Sequence, residues 1–186
     1  MYRQSGKLYK AEGIILSRKN YGETDRIITI FTKEYGKLRA IAKGVRRITS
    51  RRGPHLEVFT RAEFMLYKGN TLDSVSEVNP LDTFEHLRSN LKQVGIAYLY
   101  CELVSSLLAD RQEHSDIYEL LRFALVKLDA GEAVATDSRE FTLELLWTLG
   151  FLPRNKRLTG AKLEAFVESV TERRLKTPKL VRKLLT

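Results

Sequence analysis

Three histidines, one cysteine and an early pair of carboxylates are the side chains from which this sequence could assemble reactive chemistry. His55, His86 and His114 fall on a predicted loop, helix and loop, without the i, i+4 pairing that two metal ligands on one helix need. Cys101 lies on an apolar helical stripe with no His or Lys one turn away, so it reads as a core thiol and not a nucleophile. Glu23 and Asp25 have the spacing to begin a nuclease metal site, but further carboxylates are missing and Arg26 adjoins them. Surface ion pairs are the expectation there. Trp147, on a helix stripe, reads as core. GxxxxGK[ST], GxGxxG and GxSxG are all absent. The sequence therefore predicts no enzyme, no cofactor and no metal.

A different chemistry is concentrated between Arg18 and Gly53. Eleven Lys or Arg stand against three acids there, a net of +8 in 36 residues, when the whole chain carries only +9. Tyr21, Phe31 and Tyr35 lie among the cations. Cations neutralise phosphates and flat rings stack on unpaired bases, so the mixture suits a nucleic-acid strand; a solvated loop beside core aromatics is the plainer alternative. Arg18, Lys19, Tyr21, Arg26, Tyr35, Lys37, Arg39, Lys43, Arg46, Arg47, Arg51 and Arg52 are the candidate contacts.

The elements that must position these residues read as strands. Glu12–Arg18, Asp25–Thr32, Lys37–Lys43, Arg61–Lys68 and Leu72–Val78 are β-branched or alternating and separated by turns, the last two forming a hairpin around Gly69-Asn70. In the third, Leu38, Ala40 and Ala42 face one way while Lys37, Arg39 and Lys43 face the other. Five short strands with a basic face and a long basic loop match an OB-type barrel over residues 1–80, although an SH3-like barrel has a similar strand count. After Pro80 the period becomes helical. Asp82–Ser89, Leu91–Ala109, Ile117–Ala130, Ser138–Leu149, Ala161–Arg174 and a short last helix from Thr177-Pro178 make residues 81–186 an all-α domain. In the second of these helices, Val94, Ala97, Tyr98, Cys101, Val104 and Leu108 form the inward stripe. The fold class is thus α+β, a barrel followed by helices.

Charge divides the same way: net +8 over residues 1–80, −6 over 81–153 and +7 over 154–186. A single cysteine, no apolar segment long enough for a bilayer and no apolar run behind the basic start predict a cytoplasmic protein. A pI near 9.7 points to an anionic partner, most often nucleic acid, and so to a nucleoid-associated protein.

YGETDRIITIFTKEYGKLRAIAKGVRR, followed by SRRGPHLEVF at Ser50–Phe59, resembles the N-terminal domain of the RecO recombination mediators of bacteria. ELLWTLGFLP at Glu144–Pro153 resembles the family's LLxxLGxxP segment. The resemblance implies an N-terminal OB fold, a helical C-terminal domain and a non-enzymatic role. That role is binding single- and double-stranded DNA, annealing strands, and working with RecR and single-stranded-DNA-binding protein to load RecA in DNA repair. It carries DNA contact onto Arg26, Lys37, Arg39, Lys43, Arg46 and Arg47, with Arg51 and Arg52 matched less tightly. The family's contact with the acidic tail of single-stranded-DNA-binding protein implies an apolar groove on the helical domain, edged by Arg122 or by Arg154, Lys156 and Arg157. Many members carry a four-cysteine zinc module after LGxxP; here that place reads RNKRLTGAKLEAF, without cysteine, so a tetrahedral site cannot form there and a zinc-free protein is expected. The helical half is also short for the family. An RNA- or ribosome-associated OB protein is the alternative that barrel and charge leave open.

Overall fold

The computed structural model describes residues 7–132, 135–172, 175 and 177. Strands β1 (Leu8–Tyr21), β2 (Asp25–Thr32), β3 (Gly36–Ala42), β4 (Arg61–Tyr67) and β5 (Asp73–Asp82) close into a barrel of order β1-β2-β3-β5-β4. Every pairing is antiparallel except the short parallel one, Ala40 with Asp73 and Ile41 with Ser74. This is the OB arrangement, which settles the choice against an SH3-like barrel.

β2 and β3 fall where alternation places them. Ile28, Ile30, Leu38, Ala40 and Ala42 point inward with Phe64, Leu66 and Val75 into one core. β1 is longer than the short strand expected. It pairs with β4 through Leu8–Ile14 and with β2 through Gly13–Tyr21, so it serves both sides of the closure. The register slips between Ile15 and Ser17, and Ile14, Ile15 and Leu16 are all buried in succession. A bulge inserts a residue and breaks the period of two, which bends the strand around the barrel corner. Gly13 sits at that corner because a Cβ there would lie 2.5 Å from Ile30 Cγ2. β5 also runs further than expected, to Asp82. The residues Asp82–Thr83 are therefore not helical, because Ala62 pairs Pro80 and Arg61 pairs Asp82 on an extended backbone.

The chain forms two compact units, and the barrel unit includes a later piece of sequence, Ala109–Tyr118. That piece is fixed by main chain and side chain alike. The Arg111 amide donates to the Lys37 carbonyl at 2.7 Å, and the Lys37 ammonium reaches Asp110 at 3.2 Å. Tyr118 packs against Phe31 and donates its hydroxyl to Glu12 at 2.9 Å. Gly36, at φ +65°, allows the approach: a Cβ would come within 1.9 Å of the Gln112 carbonyl oxygen.

The second unit holds α1 (Glu85–Ser89), α2 (Leu91–Leu107), the body of α3 (Ser115–Asp129), α4 (Ala135–Thr148) and α5 (Gly160–Thr171). Asn90 caps α2 by accepting from the amides of Lys92 and Gln93. Gly131 and Gly150, both at positive φ, end α3 and α4. α2 buries Ile96, Ala97, Tyr100, Cys101, Leu103 and Val104. Tyr98 is exposed, contrary to the stripe expected for it, because Tyr100 takes the inward place and stacks on Phe141 with centroids 4.1 Å apart. The helix expected from Thr177-Pro178, apart from Thr177 itself, lies outside the described residues, as does Arg174 at the end of the preceding one. Among the described residues no helix is long and apolar enough to cross a membrane.

Candidate nucleic-acid interface

Strand pairing brings part of the basic stretch onto one outer surface. Ser17 lies beside Thr29 and Thr29 beside Arg39; Lys19 lies beside Ile27 and Ile27 beside Ile41. Residues of this parity point away from the core, so Lys19, Arg39 and exposed Lys43 share a face with half-buried Ile27 and Ile41. Tyr21, 55% exposed, stands at the end of β1 on the same side. Among the described residues neither Lys19 nor Arg39 has a carboxylate within salt-bridge distance.

The loop from Lys43 to Thr60 edges this face and is tied down at several points. Asp25 accepts from the Gly44 amide at 2.8 Å and from the Thr24 hydroxyl at 3.0 Å. The Gly44 amide is the main cause that holds its carboxyl below the ordinary value, with Lys43 and Arg47 adding to the effect. Asp25 is therefore a loop anchor and not half of an ion pair with Arg26. The Arg46 amide donates to the Thr24 carbonyl and its guanidinium to the Gly22 carbonyl. Val45 and Leu56 enter the core. This leaves Arg47 and Arg51 exposed, with a fully exposed Ile48 between them.

Other members of the predicted set have structural partners. Arg18 and Arg26 have the parity of the inward-facing residues and emerge at the barrel mouth, where both bind Glu57, at 2.8 and 3.2 Å. Arg52 donates to the carbonyls of Lys43, Val75 and Ser76 and so stitches the loop to β5. Lys37 lies under Asp110 with its side chain 12% exposed. Tyr35, at the β2–β3 turn, is held edge-on to Tyr9 with centroids 4.9 Å apart. The Thr32 hydroxyl shapes that turn by donating to the Gly36 carbonyl and accepting from the Tyr35 amide.

One polar cluster in the barrel unit had no signal in the sequence. Asp73, with 0% of its surface exposed, accepts from the Tyr9 hydroxyl, from Arg111 at 2.8 Å and from the Gly69 amide at 3.0 Å. Burial pushes its carboxyl up, but those donors overcome the burial and hold it below the ordinary value. Burial and the Asp73 charge together raise the Tyr9 phenol well above its usual range. The donors come from strand, hairpin and a residue 38 positions later, a convergence that only the fold creates.

In the helical unit, a groove of about 310 Å³ is walled by Tyr100, Phe123, Phe141 and Trp147, with Lys127, Arg157 and the acids Asp137, Glu140 and Glu144. Trp147 is a wall residue and not core: its indole donates to the Lys156 carbonyl and Arg157 lies over its ring. Of the predicted partner contacts, Arg122 is paired with Glu119, Arg154 with Glu144 and Arg157 with Glu140. Lys156 is exposed, with no ion pair among the described residues. Cys101 is buried in α2, and burial pushes its thiol far above the ordinary value, as a core thiol requires. Among the described residues no group of three or more His, Cys, Asp or Glu could hold a metal ion.

Comparison with known proteins agrees with this architecture. The family models described as "Recombination protein O N terminal" and "Recombination protein O C terminal" match residues 7–84 and 88–173. A protein of Roseiflexus sp. named "DNA repair protein RecO" is 38% identical over 148 residues, covering 80% of this chain and 52% of that protein. Proteins of the same name from Pelotomaculum thermopropionicum and Symbiobacterium thermophilum are 37% and 34% identical, covering 79% and 85% of this chain and 57% and 63% of theirs. The chain thus spans between half and two thirds of the length of these curated relatives. With an OB barrel, a following helical unit and both family regions matched in order, the chain belongs to the recombination protein O (RecO) family.

Proposed function

We propose that this chain is a non-enzymatic DNA-binding protein of DNA repair, and that the outer face of β1–β2–β3 and its basic loop receive a single strand. The observation that carries the reading is the face itself. Lys19, Arg39 and Lys43 stand beside Ile27, Ile41 and Tyr21, and Arg47 and Arg51 extend the charge along an anchored loop. Cations at this spacing neutralise successive phosphates, and the flat and apolar side chains between them support unstacked bases. Arg18, Arg26 and Arg52 brace the face through Glu57 and main-chain carbonyls, and Lys37, at the far end of β3, is held by Asp110. Readout of base edges is not required, which suits a protein that handles strands of any sequence.

Strand annealing, and work with RecR and single-stranded-DNA-binding protein toward RecA loading, belong to the same proposal on the strength of family membership. Annealing of complementary oligonucleotides, with and without single-stranded-DNA-binding protein, tests it. Acceleration that Arg39→Gln and Arg47→Gln/Arg51→Gln reduce is the expected result. A preference for ribo- over deoxyribo-strands would favour an RNA-associated role. Metal-dependent loss of the strand would indicate a nuclease.

A further inference from the structure

At the end of the barrel away from the basic loop, a cavity of about 220 Å³ is lined by Lys7, Tyr9, Tyr35, Lys68 and Arg111. These residues come from four separate places in the chain and are assembled by the barrel unit. Lys7 precedes β1 and Lys68 follows β4; the two strands run antiparallel, and the Lys68 amide donates to the Lys7 carbonyl. Tyr35 is presented by the β2–β3 turn. Arg111 is brought in by the Ala109–Tyr118 segment, at an uncommon left-handed backbone angle of +58°.

The charge within this cavity is unbalanced. Asp73, behind the wall, is matched by Arg111 and bonded to Tyr9 and Gly69. That leaves the ammonium groups of Lys7 and Lys68, neither of which has a carboxylate partner among the described residues. The Arg111 side chain is 43% exposed, so an edge of its guanidinium remains for a second acceptor. Tyr35 keeps 41% of its surface exposed while Tyr9 holds its ring in place.

We infer that this cavity is a second binding site, for one nucleotide unit: the phosphate between Lys7, Lys68 and the free edge of Arg111, the base against Tyr35. Two lysines and a guanidinium edge line one cavity, the kind of donors a phosphate takes, and a braced, part-exposed ring offers a stacking surface. Pockets for drug-sized ligands begin at about 300 Å³, so this smaller one suits a single unit, either a free nucleotide or one residue of a strand. A carboxylate peptide would use the cations and leave the aromatic wall idle. The site lies beyond the face proposed above: along β3, Tyr35 is four residues from Arg39, about 13 Å at 3.3 Å per residue, and either can hold without the other.

The full chain is titrated with thymidine 5′-monophosphate, with a 5′-phosphorylated oligothymidylate, with thymidine, with inorganic phosphate and with tetra-aspartate, following the ring resonances of Tyr35. Tyr35→Phe assigns the signal. Lys7 and Lys68 are surface residues, so Lys7→Gln/Lys68→Gln keeps the fold. The monophosphate or the oligomer should shift Tyr35 saturably, and more tightly than thymidine or phosphate alone. The double variant should weaken that binding by about tenfold or more, as loss of charge-assisted hydrogen bonds does. Arg39→Gln should leave monophosphate affinity within about twofold. A response to both ligands means a strand residue is accepted, and a response to the monophosphate alone means a free nucleotide; each supports the site. No saturable shift with either, or equal binding of tetra-aspartate, would overturn it. Oligomer binding insensitive to Arg39→Gln and to the loop variants would instead count against the outer face and leave the cavity standing.

Discussion

Arg111 donates to the Asp73 carboxylate at 2.8 Å, joining a segment after α2 to the first residue of β5, where no part of the carboxylate surface is exposed. Replacing Arg111 by Met leaves a buried charge with only Tyr9 and Gly69 as donors. A loss of about 2–4 kcal/mol is expected, read as a lower urea midpoint at unchanged m. Asp73→Asn/Arg111→Met should recover part of it, since neither charge then remains.

The same pair sets a pH dependence. Asp73 is held below its ordinary value in the folded chain. Its contribution is therefore complete above the unfolded carboxyl value of about 3.9, and is lost as pH falls through the lower folded value. The stability difference between the natural chain and Asp73→Asn should be flat from about pH 5 to 8 and shrink in more acid solution. A difference that changed near neutrality would point to another group.

Gly36 and Gly22 separate strain from close approach. Both have positive φ, yet a Cβ at Gly22 meets nothing within 4 Å whereas one at Gly36 meets the Gln112 backbone. Gly22→Ala should cost about 1 kcal/mol from the left-handed backbone alone. Gly36→Ala should cost at least about 3 kcal/mol and expose the amides of residues 109–113 to hydrogen exchange.

Salt dependence sorts the cations. Each phosphate contact with a single strand contributes about −0.7 to the slope of log K against log salt. Lys19→Gln, Arg39→Gln and Arg51→Gln should each flatten the slope by about that amount with little change in Tm. Arg52→Gln should do the reverse: it removes three main-chain contacts, lowering Tm by several degrees for a loss of about 1–2 kcal/mol.

Cys101 should resist thiol reagents from about pH 7 to 9 in the native chain and react once it is unfolded, because burial keeps it protonated. Rapid native-state labelling would show that α2 opens locally.

Local pattern made much of this fold legible. Ile28 and Ile30 alternate with Ile27 and Thr29, and Leu38, Ala40 and Ala42 alternate with Lys37 and Arg39, so β2 and β3 can be placed from the alternation alone. The β1 bulge was hidden in Ile14–Leu16, where three consecutive apolar residues mark a break in the period. Arg26 shares the parity of Ile28, a signal that it leaves the outer face, but its partner Glu57 lies 31 residues away. Nothing near Lys37 announces Asp110, and nothing near Asp73 announces Arg111. Charge can be counted along a chain; which charges are already spoken for is a property of distant packing.

The inclusion of Ala109–Tyr118 in the barrel unit has a consequence for synthesis. A ribosome delivers β1 through β5 first, but the nascent barrel then holds an uncompensated buried acid until Arg111, 38 residues after Asp73, has emerged. Chains interrupted anywhere in α2 would carry all five strands and still lack this lock, leaving them open to proteolytic clearance. The reading frame thus couples release of a finished barrel to translation of the helix that follows it.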